Sequence, residues 1–381
     1  MKKLPLYLAA VSILLSVNTL THAQVTSTWQ GDESTSWNTA GNWDNSDIPA
    51  SGSETAIFDV TGNQNNQPNM DVDVDSAIQF DNAGWSITGT SDINFKSGGN
   101  GITNNATSGV NSVKVAEIRN NSSSDVGVYI NAAGVGGTLV LGAMDRNATW
   151  SILGGGTIIL DGADNTAGTI ATDFSSFSGS LLTNSTGEFV SSTNNDTIGS
   201  NASGSTVGGI GTLKGRNFGT TFIEGTLAAG GNGSYIADKI GDLTLTSAGT
   251  SRADFTMVTG STFAVDIGTG GVGDNDRLLF DLNNGGNIAI ESGVTLSIIG
   301  TTIQDGTYTI ATEIGGDSHP IIGTFDTVLF NGSAIDPSKF TVNYGADAIT
   351  LDITGVVPEP STYALIAGCF ALTGVMLRRR R

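Results

Sequence analysis

The chain has 381 residues, of which 36 are Asp or Glu and only 16 Lys or Arg, with 53 glycines and one cysteine. So large an acidic surplus excludes a phosphate-backbone ligand, which needs clustered Lys and Arg, and no nucleic-acid partner is expected. The single Cys369 permits no internal disulfide, and the two histidines, His22 and His319, permit no multi-histidine zinc centre.

Residues 1–23 read MKKLPLYLAAVSILLSVNTLTHA, with Lys2 and Lys3 ahead of an apolar run from Leu4 to Val17 and small or polar residues leading to Ala23. This is the pattern of a secretory signal peptide cleaved after Ala23. The apolar run is shorter than the ~20 residues that a membrane-spanning helix needs. The body from Gln24 to Val357 keeps ten basic and 35 acidic residues, a net charge of about −25. Such a body suits solubility and cation binding, and disfavours an anionic polysaccharide held by charge.

From residue 24 to about 110 the texture is rich in aromatic residues, with Trp29, Trp37 and Trp43 inside TWQGDESTSWNTAGNWDNSDIP. Two readings stand: a platform on which sugar rings stack, since an exposed indole offers a flat apolar face, or a cap that shields the first open edge of a stacked repeat. In DVDVD the alternation predicts Asp71, Asp73 and Asp75 on one side of a strand and Val72 and Val74 on the other. That row is expected to be a solvated face, with a surface cation site as the alternative.

Between 111 and 355, short apolar segments recur between Gly, Asn and Asp turns: GTLVLG, GTIILDG, DLTLTSAG, STFAVDIG, TLSIIG, TYTIAT and AITLDIT. Each is a strand candidate, and helical periodicity is almost absent, so the body is expected to be all-β. GTGGVGDNDRLLF contains Gly268, Gly270 and Gly273 in a GxGxxG pattern, but a strand-like run from Arg277 to Leu282 comes next, where a dinucleotide site needs a helix. Asp274 and Asp276 in the same stretch are candidate ligands for a single Ca²⁺, against the plainer reading of a turn that bonds its own backbone. No other cofactor is expected. No GxSxG occurs, and His319 lies before Pro320 in a turn, so the chain is not expected to be an enzyme.

GGTIILDGADNTAGT (155–169) and FIEGTLAAGG (222–231) resemble the autotransporter-associated β-strand repeat. The order Gly260-Ser261, Asp276-Arg277-Leu278, Gly306-Thr307-Tyr308, Gly323-Thr324-Phe325 is similar to the region after the last repeat in passenger-type β-helices. The tryptophan-rich opening resembles that of repeat proteins of the same surface class. The resemblance implies a right-handed parallel β-helix, in coils of ~20 to 25 residues.

The chain closes with Pro358-Glu359-Pro360-Ser361, an apolar run from Tyr363 to Leu377 and Arg378, Arg379, Arg380 and Arg381. As a short transmembrane helix the run would span roughly 22 Å, with the arginines held on the cytoplasmic side as a stop. This tripartite tail resembles the PEP-CTERM sorting signal of Gram-negative bacteria that make extracellular polysaccharide. The resemblance implies an exosortase-type processing enzyme as partner, transient residence in the inner membrane, and release or attachment at the cell surface or in the extracellular matrix. Extracellular polysaccharide is the other partner in view. The expected segments are 1–23 (signal peptide), 24–110 (cap and first coils), 111–355 (β-helix) and 356–381 (sorting tail). The leading expectation is an exported structural β-helix protein. The alternatives are an adhesin that binds carbohydrate through its tryptophans and, more remotely, a polysaccharide-degrading β-helix enzyme.

Overall fold

A computed structural model describes residues 25–96, 101–121, 128–144, 150–161, 174, 176–184, 187–190, 196–215, 219–230, 240–247, 249, 252–269, 271–282, 285–300, 303–316 and 320–355. Residues 1–24, with the segment expected to be a signal peptide, His319 and residues 356–381, with the expected sorting tail, lie outside them. Among the described residues the fold is all-β, and the only helix is the three-residue turn Ala40–Asn42.

The strands recur in a fixed cycle. A 12-stranded sheet runs nearly the length of the body, from Asn69–Met70 to Ser333–Ala334. Upstream, each return of the chain adds a strand to a six-stranded sheet that starts at Val25–Thr28 and ends at Trp150–Gly154. Downstream, those strands give way to a seven-stranded sheet that begins at Glu188–Val190 and a five-stranded sheet that begins at Asp196–Ile198. Every pairing along the 12-stranded sheet is parallel except the last hairpin, an arrangement compatible with a β-helix. The expected boundary at 110 falls inside this continuity, because Val110–Lys114 pairs in parallel with strands on both sides.

Register places like on like. Ala56, Ile78, Ile102, Ile130 and Ile152 are successive partners and all buried, so one wall of the core is a stack of aliphatic side chains. On the 12-stranded sheet, Leu139, Ile158, Leu181, Val207, Leu227, Phe263 and Leu296 form the inward column. Their outward neighbours form a second column, Thr138, Thr157, Ser180, Thr206, Thr226, Thr262, Thr295 and Thr327. The seven strand candidates all prove to be strands. Coil length departs from the expected 20 to 25 residues: Thr138 pairs with Thr157, a step of 157 − 138 = 19, whereas Thr226 pairs with Thr262, a step of 262 − 226 = 36. The core fixes only the strands, so the loops between them are free to grow outward.

Corners carry the polar cost of this design. A turning backbone exposes N–H groups that the ladders cannot pair, and a buried unpaired N–H costs about as much as a lost hydrogen bond. Side chains one coil away accept them. Asn111 Oδ1 takes the Trp85 N–H at 2.9 Å, Asn201 Oδ1 the Gly225 N–H at 2.7 Å, Asp254 Oδ1 the Asn287 N–H at 3.0 Å and Asp326 Oδ2 the Gly293 N–H at 2.6 Å. Glycine serves the same corners: Gly225 (φ +70°) and Gly260 (φ +89°) turn the chain just before Thr226 and Thr262, in a region where a side chain is strained.

Both ends are closed. Asp44 Oδ1 accepts the Thr28 N–H at 3.0 Å, Thr28 O accepts the Asp44 N–H at 3.0 Å, and Asn45 Nδ2 donates to Thr26 O at 3.3 Å, so the outer edge of the first strand is occupied. At the far end Ala348–Ile353 pairs antiparallel with Gly306–Glu313 and with Phe340–Tyr344, which ends the parallel stacking. Asp352 straddles that closure, accepting from Thr307 Oγ1 at 2.6 Å and Asn343 Nδ2 at 2.8 Å, and these bonds hold its carboxyl below the usual range.

Asn111→Ala leaves the buried Trp85 N–H without its acceptor and should cost about 1–3 kcal/mol in denaturant unfolding. An unchanged midpoint would show that corner acceptors do not hold the coils. Because the pKa of Asp352 is depressed, its contribution is present above the unfolded value of about 3.9 and is lost as pH falls through the lower folded value. Asp352→Ala should therefore melt below the parent at pH 7, with the gap closing on acidification.

Candidate functional site

The tryptophan cluster is built by the first two coils. Trp29 comes directly after the edge strand, Trp37 pairs its N–H to Asn69 O at 2.9 Å, and Trp43 bridges back to Trp29. The three indoles are 0–2% exposed and meet edge to face, with ring centroids 5.1 Å apart for Trp29 and Trp43 and 4.8 Å for Trp37 and Trp43. Each ring N–H donates to a backbone carbonyl: Trp29 to Asn66, Trp37 to Pro49, Trp43 to Trp37. A sugar-stacking platform at Trp29, Trp37 and Trp43 is therefore corrected, since no indole face reaches solvent and every polar edge is satisfied inside. They act as a cap over the first coil, packed on Phe58.

The aspartate row keeps the exposure expected at Asp71 and Asp73, but the expected strand is corrected. Residues 71–75 form no strand, only an isolated bridge at Val74, because they turn a corner. Asp71 reaches back one coil to Ser36 Oγ at 2.5 Å and the Asn38 N–H at 3.1 Å. Asp73 and Asp75 reach forward, accepting the N–H groups of Asp92 at 2.9 Å and Lys96 at 2.8 Å. Each carboxylate is thus a staple between coils. Next to them, burial pushes the Asp92 carboxyl up, against the pull of Arg119, whose Nη2 lies 3.1 Å away.

Asp274 and Asp276 lie at the base of a hairpin closed by the antiparallel bridge between Ile267 and Asn275. Asp276 is buried, with Oδ1 accepting the Gly241 N–H at 2.9 Å and Oδ2 the Asp266 N–H at 2.8 Å. Its carboxylate is thereby tied to two coils. Among the described residues no group of three or more His, Cys, Asp or Glu side chains is placed to share a metal ion. Arg277–Asp281 is a strand, as expected in place of the helix of a dinucleotide site. Pro358, Glu359, Pro360, Ser361 and Arg378 to Arg381 lie outside the described residues. No helix among the described residues is long and apolar enough to cross a membrane.

One surface had no clear mark in the sequence. Outward from the 12-stranded sheet, the positions two residues after the hydroxyl column are Val140, Ile159 and Leu182, buried in a small cluster with Val110 and Ile210 packed against it, then Gly208, Ala228, Ala264 and Ser297. The drop in side-chain size leaves a depression of about 190 Å³, with Leu182 at one end, Ile299 at the other, and Asp266 and Asp276 along one side. The recurrent Gly-Thr-Leu triplets are its only signal, and they mark strands equally well.

No protein-family model matches the chain, and neither a curated protein nor a solved structure does so. With all five tryptophans at most 2% exposed, their emission should be that of buried indoles and should stay unchanged when soluble polysaccharide is added. A red-shifted, quencher-accessible fraction would restore an exposed indole.

Proposed function

We propose that the chain is an exported structural protein, a right-handed parallel β-helix sorted to the cell surface or extracellular matrix of a Gram-negative bacterium through its PEP-CTERM-like tail. The observation that carries this reading is the tripartite run Pro358-Glu359-Pro360-Ser361, Tyr363 to Leu377 and Arg378 to Arg381, behind a body preceded by the signal-like segment 1–23. In this reading an exosortase-type enzyme recognises Pro358, Glu359 and Pro360 while the apolar run sits in the inner membrane and the arginines stop transfer. The body supports the reading physically. Its coils hold one another through backbone ladders, aliphatic columns and corner acceptors, so it needs no disulfide in an oxidising compartment. The assigned role is structural, with no catalysis.

Deleting Arg378 to Arg381 should misroute the protein, because the positive flank that arrests translocation is gone. Cell fractionation with surface labelling reads the effect, and surface display equal to the parent would contradict the proposal.

A further inference from the structure

The depression on the outer face of the 12-stranded sheet is a surface that the structural role does not use. The two outward columns beside it hold no charged side chain from Val110 and Ser112 to Thr327 and Leu329, although the body carries 45 charged residues. The hydroxyls of Ser180, Thr206, Thr226 and Thr262 make no hydrogen bond to any described residue, and the side chains are half-buried, so their polar capacity faces outward. Successive coils set these hydroxyls ~4.8 Å apart in a straight file. Beside the file the floor is small and apolar, Ala228 and Ala264, walled by Leu182 and Ile299. Hydroxyls at regular spacing next to apolar patches match a polyol whose ring faces are C–H and whose edges are hydroxyl. The length of one pyranose in an extended chain is close to the coil spacing. A net charge of about −25 disfavours an acidic glycan.

We propose that this depression binds a neutral polysaccharide chain laid across the coils, its hydroxyls bonded by Ser180 and Thr206 and its ring faces resting on Ala228 and Ala264. The site is independent of the sorting tail and of the buried tryptophans. Neutral carbohydrate is favoured over a second copy of the chain because two bodies of about −25 each repel, whereas an uncharged polyol meets no such barrier.

The test uses the purified full chain with cellohexaose, maltohexaose and polygalacturonate in calorimetric titrations. Binding of at least one neutral oligosaccharide is expected, with polygalacturonate inert. Ala264→Phe fills the floor from outside the core and should weaken that binding about tenfold or more, a loss of about 1.4 kcal/mol. Thr206→Val removes one hydroxyl at nearly constant shape and should weaken it several-fold, while Thr244→Val, on the outer face of the seven-stranded sheet, should not. Circular dichroism confirms that each variant folds. Absence of binding to both neutral oligosaccharides, or binding untouched by Ala264→Phe and Thr206→Val, would overturn the proposal. So would a parent dimer in sedimentation that Ala264→Phe dissolves, since the face would then serve self-association.

Discussion

The structure depends on one constraint: every coil must satisfy the backbone of its neighbours and nothing else. Within strands the parallel ladders do this automatically. At corners they cannot, and the N–H groups left over are taken by side chains from an adjacent coil, the following one for Asn111 and Asp326 and the preceding one for Asn201 and Asp254. This accounts for an unusual composition. Carboxylates and amides are placed as corner acceptors and glycines as corner hinges, while among the described residues Arg277 forms an ion pair with Asp242 at the surface. Exposed pairs of that kind contribute little.

Stacking by repetition also fixes where the chain has to be specialised, because a file of parallel strands ends in open edges that invite pairing with other chains. The upstream end is sealed by Asp44 and Asn45 against the first strand and by three interlocked indoles behind it. The downstream end abandons parallel pairing for an antiparallel closure held by Asp352 and by Tyr344, whose hydroxyl accepts the Phe325 N–H at 3.0 Å. Between the caps, one long sheet persists while the other walls are exchanged, so the core is continuous although the cross-section changes.

The strands were legible because alternation of apolar and polar residues is a local property, and GTIILDG or AITLDIT carries it without help. The direction of AITLDIT was not legible: it pairs antiparallel, because the last coil has no successor. DVDVD alternates as a strand would, yet forms a corner, since Asp71, Asp73 and Asp75 are each drawn to a partner on another coil. That preference is a contact across 19 to 35 positions, invisible to a short window of sequence. Trp29, Trp37 and Trp43 could be read as platform or cap, and only burial separates the two. The depression near Ala264 depends on which small residues align from coil to coil, a matter of register that coil lengths of 19 and 36 residues hide.

The functional account joins a self-sufficient acidic body to segments that resemble an export signal and a sorting signal. Within the described residues the body closes its own ends, upstream through Asp44 and Asn45 and downstream through the antiparallel strand Ala348–Ile353. The most direct measurement is the intact mass and cellular location of the mature protein in its own host. The account predicts a surface or medium species that begins near Gln24 and ends near Val357. A full-length species kept in the cytoplasm or inner membrane would contradict it.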